Sequence, residues 1–118
     1  MATAAIFVGY GPPISGREDK ALRVFNEALE YYGGLQRNGD IESFEPVFLE
    51  PHGGDLSGFI LLRGDRAKLE HVRYSPEFLR LSNRASLVVT NFGIVGGFLG
   101  EELQTLFQNF HQQVGELG

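Results

Sequence analysis

Side chains able to do acid–base chemistry are few in this sequence. It holds 3 His and no Cys among 118 residues, against 15 Asp+Glu. His52 is the one histidine in a tight cluster with carboxylates, Glu50 and Asp55. An imidazole kept neutral by a neighbouring carboxylate is a general base near pH 7. The same stretch, Glu50-Pro51-His52-Gly53-Gly54-Asp55, also has the composition of a turn. No second histidine lies at His-x-His or His-Glu-x-x-His spacing, so no metal site is expected. Glu45 is the second candidate base, because it shares one face of an extended segment with Ser43, Val47 and Leu49. If that face lines an apolar cavity, desolvation makes the carboxylate a stronger base; at a sheet edge the same side chain simply guards against aggregation. Tyr10, Thr90 and Asn91, placed at strand ends or late in strands, join Asp55 as candidate polar anchors for a ligand at a cavity mouth, or as plain rim residues. His71, Arg73 and His111 fall on helical segments and read as solvated.

Three motifs imitate known chemistry and fail on it. Gly11-Pro12-Pro13-Ile14-Ser15-Gly16-Arg17-Glu18 has the glycine spacing of a phosphate loop. Its two prolines have no N–H to offer phosphate, and Arg17-Glu18 stands where Lys and Ser/Thr are needed. Gly9-x-Gly11 lacks the third glycine of a dinucleotide fingerprint, since position 14 is Ile14. Arg63-Gly64-Asp65 spells an adhesion tripeptide where a strand must turn into a helix, which gives glycine the bend and aspartate the cap.

Composition narrows the classes further. A formal charge of -5 with no basic stripe argues against nucleic acid as a ligand. Without cysteine the fold is held by packing alone. The start, MATAAIFVGYGPP, lacks the basic and sustained apolar regions of a secretory signal, and the uncharged run 85–100 is short of the ~20 apolar residues that span a bilayer. The expectation is a cytoplasmic, single-domain protein over 1–118 with no membrane segment and no cofactor.

The elements that must position these groups follow from periodicity. Residues 4–10 are apolar on both alternating faces and predict a covered strand. Ser15 and Glu18 fit a capping box, and Ala21, Leu22, Phe25, Ala28, Leu29, Tyr32 and Leu35 keep helical spacing, so a helix is predicted to Asn38 with Gly39 as its left-handed cap. Residues 41–49 and 56–63 predict an antiparallel pair. Asp65 caps a short helix to Arg73, Ser75-Pro76 restarts it toward Asn83, residues 87–93 return to a strand, and a last helix opens at Gly100. That order is the split βαβ of a ferredoxin-like α+β fold with an extra C-terminal helix.

With the helices on one side, the other sheet face should be polar in a monomer. It is not: between 56 and 62 one face offers Leu56, Gly58, Ile60 and Leu62, and the other Ser57, Phe59 and Leu61. Exposing four or five large apolar side chains forgoes roughly 1.5–3 kcal/mol each. A second copy packed sheet to sheet is the simplest cover; the alternative is the C-terminal helix folding over that face.

The element order, the size, and the stretches Pro51-His52-Gly53-Gly54-Asp55-Leu56-Ser57-Gly58-Phe59, Arg63-Gly64-Asp65 and Ser75-Pro76-Glu77-Phe78 resemble the dimeric α+β barrel superfamily, in particular a group of small uncharacterised members. The resemblance covers nearly the whole chain. It implies a homodimer whose paired sheets close around a cavity, which in the superfamily's monooxygenases and isomerases receives a small organic molecule. Haem-degrading members use an Asn, Trp and His set, and this chain has no Trp. No catalytic set transfers position by position. Two functions therefore stand side by side: a small-molecule binder or cofactor-independent enzyme acting by proton abstraction or oxygenation, with Glu45 and His52 as bases, or a non-catalytic assembly module. A cavity of a few hundred Å³ with converging polar groups favours the first, and a solid apolar core the second.

Overall fold

A computed structural model describes residues Met1–Gly118. The elements run β1 (Ala4–Tyr10), α1 (Glu18–Arg37), β2 (Ser43–Phe48), β3 (Gly58–Gly64), α2 (Arg66–Arg73), α3 (Pro76–Ser86), β4 (Gly93–Phe98) and α4 (Gly100–Leu117). The strands form one antiparallel sheet in the order β2-β3-β1-β4, the ferredoxin-like arrangement. Helices α1, α2 and α3 cover one face. Ala4, Ile6 and Val8 of β1 and Ile60 and Leu62 of β3 point into that layer and meet Tyr32, Leu69, Val72 and Phe78 from the helices.

Local chemistry explains most boundaries. The Asp65 side chain accepts a hydrogen bond from the Lys68 N–H, and the Ser75 hydroxyl accepts one from Phe78 with Pro76 at the first helical position, as the sequence predicts. Gly39 adopts φ 81° just past α1. The capping box at Ser15 does not form: Gly16 turns the chain at φ 86°, α1 begins two residues later, and its N-cap, Arg17, makes no side-chain cap. The acidic pair Glu18 and Asp19 faces the helix dipole there instead.

The largest correction concerns the strand expected over 87–93: residues 87–92 are not part of one. Helix α3 continues to Ser86, and the N–H groups of Val88 and Val89 both donate to the Ala85 carbonyl. Val88 plugs a second small core with Ala21 and Val24. Its own carbonyl accepts from Ile14, while Thr90 and the loop 11–12 exchange backbone bonds, Thr90 N–H to Pro12 O at 2.9 Å and Gly11 N–H to Thr90 O at 2.7 Å. The fourth strand is Gly93–Phe98, paired along β1. Thr90 and Asn91 thus lie in a turn, with Asn91 at φ 52°, rather than late in a strand.

The opposite sheet face is bare. Phe7, Val47, Phe59, Leu61 and Val95 share it by register, and Phe7 stacks on Phe59 with ring centroids 4.9 Å apart. Helix α4 does not fold over it. From Gln104 to Gly118 every residue is exposed, and the helix packs only at its base, against β4. The projection shows in the shape: the radius of gyration is 16.4 Å, where a compact chain of this length has about 13.5 Å. No helix is long and apolar enough to cross a membrane.

Candidate functional site

A cavity of about 510 Å³ lies between the helices and the sheet, at the C-terminal end of β1. Its size falls within the ~300–1,000 Å³ of ordinary small-molecule pockets. Val8 and Ile60 form its floor, α1 and α3 its roof, and Gly11, Pro12 and Pro13 close one end with Val88 and Val89. The roof mixes small residues, Ala21 and Ala28 on α1 with Ser82 and Ala85 on α3, with larger ones such as Phe25 and Leu81. The two roof helices are held together by a bidentate ion pair, Arg84 Nε and Nη2 to the two Glu27 carboxylate oxygens at 3.0 and 2.8 Å.

Polar groups reach this apolar space from a few places. Tyr10, the last residue of β1, lies across the strand from Gly58. A Cβ at position 58 would sit 2.6 Å from the Tyr10 hydroxyl and 2.7 Å from the Val47 carbonyl, so the glycine leaves the space that the phenol occupies. The Tyr10 ring meets Phe25 edge-on at 6.1 Å, and burial pushes its pKa above the ordinary phenol value. Tyr32, on α1, is 4 % exposed and lines the same cavity. Its neighbour Tyr31 pairs with the Ser75 hydroxyl at 3.3 Å, but the Tyr32 hydroxyl has no protein partner. No buried side-chain polar atom is both sealed and unpaired, so that hydroxyl keeps some exposure, and Tyr32 is among the residues that line the cavity. Burial, and then the nearby Tyr31, push the Tyr32 pKa far above that of a free phenol. Both phenols are therefore neutral hydrogen-bond donors at physiological pH. Glu18 is the one carboxylate on the lining, with Ser57 and Ser82 supplying hydroxyls.

The residues singled out from the sequence do not converge on one site. Tyr10 lines the cavity; Glu45, His52, Asp55, Thr90 and Asn91 do not. Glu45 lies on the bare sheet face, more than half exposed, and accepts a 3.0 Å hydrogen bond from Arg63. His52 serves its own loop: Nε2 donates to the Leu56 carbonyl at 2.8 Å and Nδ1 accepts from the Gly54 N–H at 3.2 Å. Thr90 latches the cavity end, its hydroxyl donating to the Pro12 carbonyl at 3.0 Å. Asp55 contributes backbone rather than a carboxylate there, since its carbonyl, with that of Thr90, crowds Gly11 to 2.8 Å from a would-be Cβ. This cavity lies on the helix side of the sheet, a different place from the space between paired sheets that the resemblance implies. No three His, Asp or Glu side chains cluster to hold a metal. Tyr32, read from the sequence as one more apolar stripe position, is the main residue missed; a hydroxyl at a helix position that faces the core was its signal.

No protein-family model and no curated protein matches this sequence. Solved structures do. A dabb family protein with a ferredoxin-like fold from Mesorhizobium loti matches at TM-score 0.66 and 14% identity, over 85% of this chain and 100% of its own. The hydroxynitrile lyase of Passiflora edulis matches at TM-score 0.62 and 13% identity, over 86% and 97%. SnoaB, a cofactor-independent oxygenase from Streptomyces nogalater, matches at TM-score 0.54 and 14% identity, over 85% and 96%. Other similar structures are of dimeric ferredoxin-like proteins of unknown function. The ferredoxin-like α+β fold is thus shared by this chain.

Proposed function

We propose that this chain is a homodimeric small-molecule-binding protein, and that the cavity between helices and sheet takes a largely aromatic or alicyclic molecule bearing an acceptor oxygen. The observation that carries the reading is about 510 Å³ of largely apolar space whose lining includes Tyr32, a buried residue with no protein partner for its hydroxyl. A ligand oxygen placed against Tyr32 and Tyr10 would gain the net value of a hydrogen bond, about 1 kcal/mol each. The lyase and the oxygenase among the similar structures extend the reading to cofactor-free proton abstraction or oxygenation. In that chemistry the two phenols would donate to a developing oxyanion, and Glu18 would be the base within reach. Glu45 and His52 would act as bases only on a ligand held outside this cavity.

The dimer half of the proposal rests on the bare sheet face. Phe7, Phe59, Leu61 and Val95 form an apolar slab that neither the helix layer nor α4 covers, and dimeric neighbours share the fold. Titration of the ¹⁵N-labelled protein with 1-acetonaphthone tests the site. Amide shifts should concentrate at Val8, Ala28 and Val89, and 1-ethylnaphthalene, which has no carbonyl, should bind at least about tenfold more weakly, about 1.4 kcal/mol. Shifts confined to the open sheet face, or none, would leave the assembly module as the better reading. Sedimentation as a monomer at micromolar concentration would overturn the dimer.

A further inference from the structure

Helix α4 has an apolar stripe that its own chain leaves in water. Leu103, Leu106, Phe107, Phe110, Val114 and Leu117 recur at three- and four-residue spacing along one side, and Phe107 and Phe110 are 62% and 64% exposed. The helix is nevertheless firmly rooted. Arg66 donates through Nε and Nη2 to Glu102 at 3.0 and 2.7 Å, its Nη2 also donates to the Gly97 carbonyl at 3.1 Å, and its guanidinium lies 4.9 Å from the centre of the Phe98 ring. Thr3 donates to the second Glu102 oxygen at 2.9 Å. A fixed base with an uncovered stripe describes an element waiting for another surface.

Resting on the dimer reading above, we infer that α4 is an arm that lies against the second copy of the chain and completes the dimer interface. Area supports this occupant. Four strands ~4.8 Å apart and six or seven residues long at ~3.3 Å each give the open face a planar footprint of about 400 Å², small beside an interface that buries about 800 Å² of accessible surface per partner even though side-chain relief enlarges the accessible area. An 18-residue helix, ~27 Å long and ~10 Å wide, adds about 270 Å². Position supports it as well, because Leu99 alone separates α4 from edge strand β4, whose Val95 belongs to the open face; a copy docked on that face comes alongside the arm. Charge excludes the main competitor. The only Asp, Glu, Lys or Arg residues on α4 are Glu101, Glu102 and Glu116, whereas helices that lie on membranes are rich in Lys and Arg. The span 103–115 has no such residue at all, as suits a surface enclosed between proteins.

The test uses the full chain. In sedimentation, Phe107→Glu/Phe110→Glu should raise the dimer dissociation constant at least about 100-fold, about 2.7 kcal/mol, while circular dichroism keeps the native sheet signal. A dimer of unchanged affinity would overturn the arm. Because the chain has no cysteine, a nitroxide on Gln112→Cys can be mixed with ¹⁵N-labelled, unlabelled-spin protomers. Broadening of the partner's amides is expected, and a stable dimer without any would overturn the arm alone. A wild-type monomer would instead overturn the dimer reading beneath it, which separates the two failures. Vesicles of phosphatidylcholine and phosphatidylserine should not recruit the protein; recruitment that Phe107→Glu/Phe110→Glu abolishes would also overturn the arm.

Discussion

Leu61 and Leu62 are neighbours in β3 and point to opposite faces of one sheet. Leu62 is fully buried beneath the helices, at 0% exposure, while Leu61 stands half-buried on the bare face beside Phe7 and Glu45. Both faces are apolar at their centres, yet only one is covered by its own chain. The helix layer repeats the contrast: α1 spreads seven charged residues along its length and turns its apolar stripe to the sheet, whereas α4 has charges only near its ends and turns its stripe to nothing. In the proposed reading, the apolar residues opposite the packed core mark the dimer face, and the polar residues within the core the ligand site.

The sharpest break between the faces should come from truncating these two leucines. Leu62→Ala should cost about 2–5 kcal/mol in urea unfolding, and Leu61→Ala much less when both are measured at concentrations where the chain is monomeric. Equal losses would mean that the faces are not distinct. Next in size, Phe59→Asp should leave the fold intact but weaken the dimer at least about 100-fold, about 2.7 kcal/mol, since a carboxylate would replace half of the Phe7–Phe59 stack. An unchanged sedimentation profile would place the dimer contact elsewhere.

The order of elements and the apolarity of both faces are readable from the sequence because they are local patterns. The fourth strand is not. Leu87-Val88-Val89 has the stronger strand composition, and Gly93-Ile94-Val95-Gly96-Gly97-Phe98, with three glycines, the weaker. Pairing with β1 overrides that preference, while Val88 is spent on the small core with Ala21 and Val24. The cavity was hidden for a related reason. The lining is assembled from α1 and α3 together with the sheet, and Tyr10 comes into reach because Gly58, 48 positions away in the chain, yields space across the strand. The types of Glu45 and His52 were legible; their separation from each other, on an outer face and in a self-bonded loop, depends on register and turn geometry.

Filling the roof sharpens the contrast from the helix side. Ala85→Leu should reduce 1-acetonaphthone affinity at least about tenfold, leave dimerisation unchanged, and alter stability by less than about 1.5 kcal/mol because the new methyl groups enter existing space. Retained binding would remove the ligand from this cavity. Tyr32→Phe should weaken the same ligand by about 1 kcal/mol, the net value of one hydrogen bond, without destabilising the free protein, whose hydroxyl there has no partner to lose. A loss of stability instead would assign Tyr32 a structural bond.

The smallest effects are titrations, and they should act on the two regions at opposite ends of the pH scale. Burial raises the pKa of Tyr10, Tyr31 and Tyr32 above the unfolded value near 10. The folded state therefore binds these protons more tightly, so their stabilisation is complete below pH ~10 and is lost as pH rises beyond it. Glu102 behaves oppositely. Its hydrogen bonds from Arg66, and secondarily from Thr3, lower its pKa, so its contribution is present above the ordinary carboxylate range and is lost as pH falls through the lowered value. A nitroxide on Gln112→Cys should report the root of α4 loosening in acid while the cavity amides stay unshifted. Glu102→Gln should remove that acid step and leave the alkaline one, because the phenols belong to the covered layer and the carboxylate to the arm. If both steps vanish together, the arm and the helix layer are one cooperative unit, and the distinction between a finished face and an unfinished one fails with them.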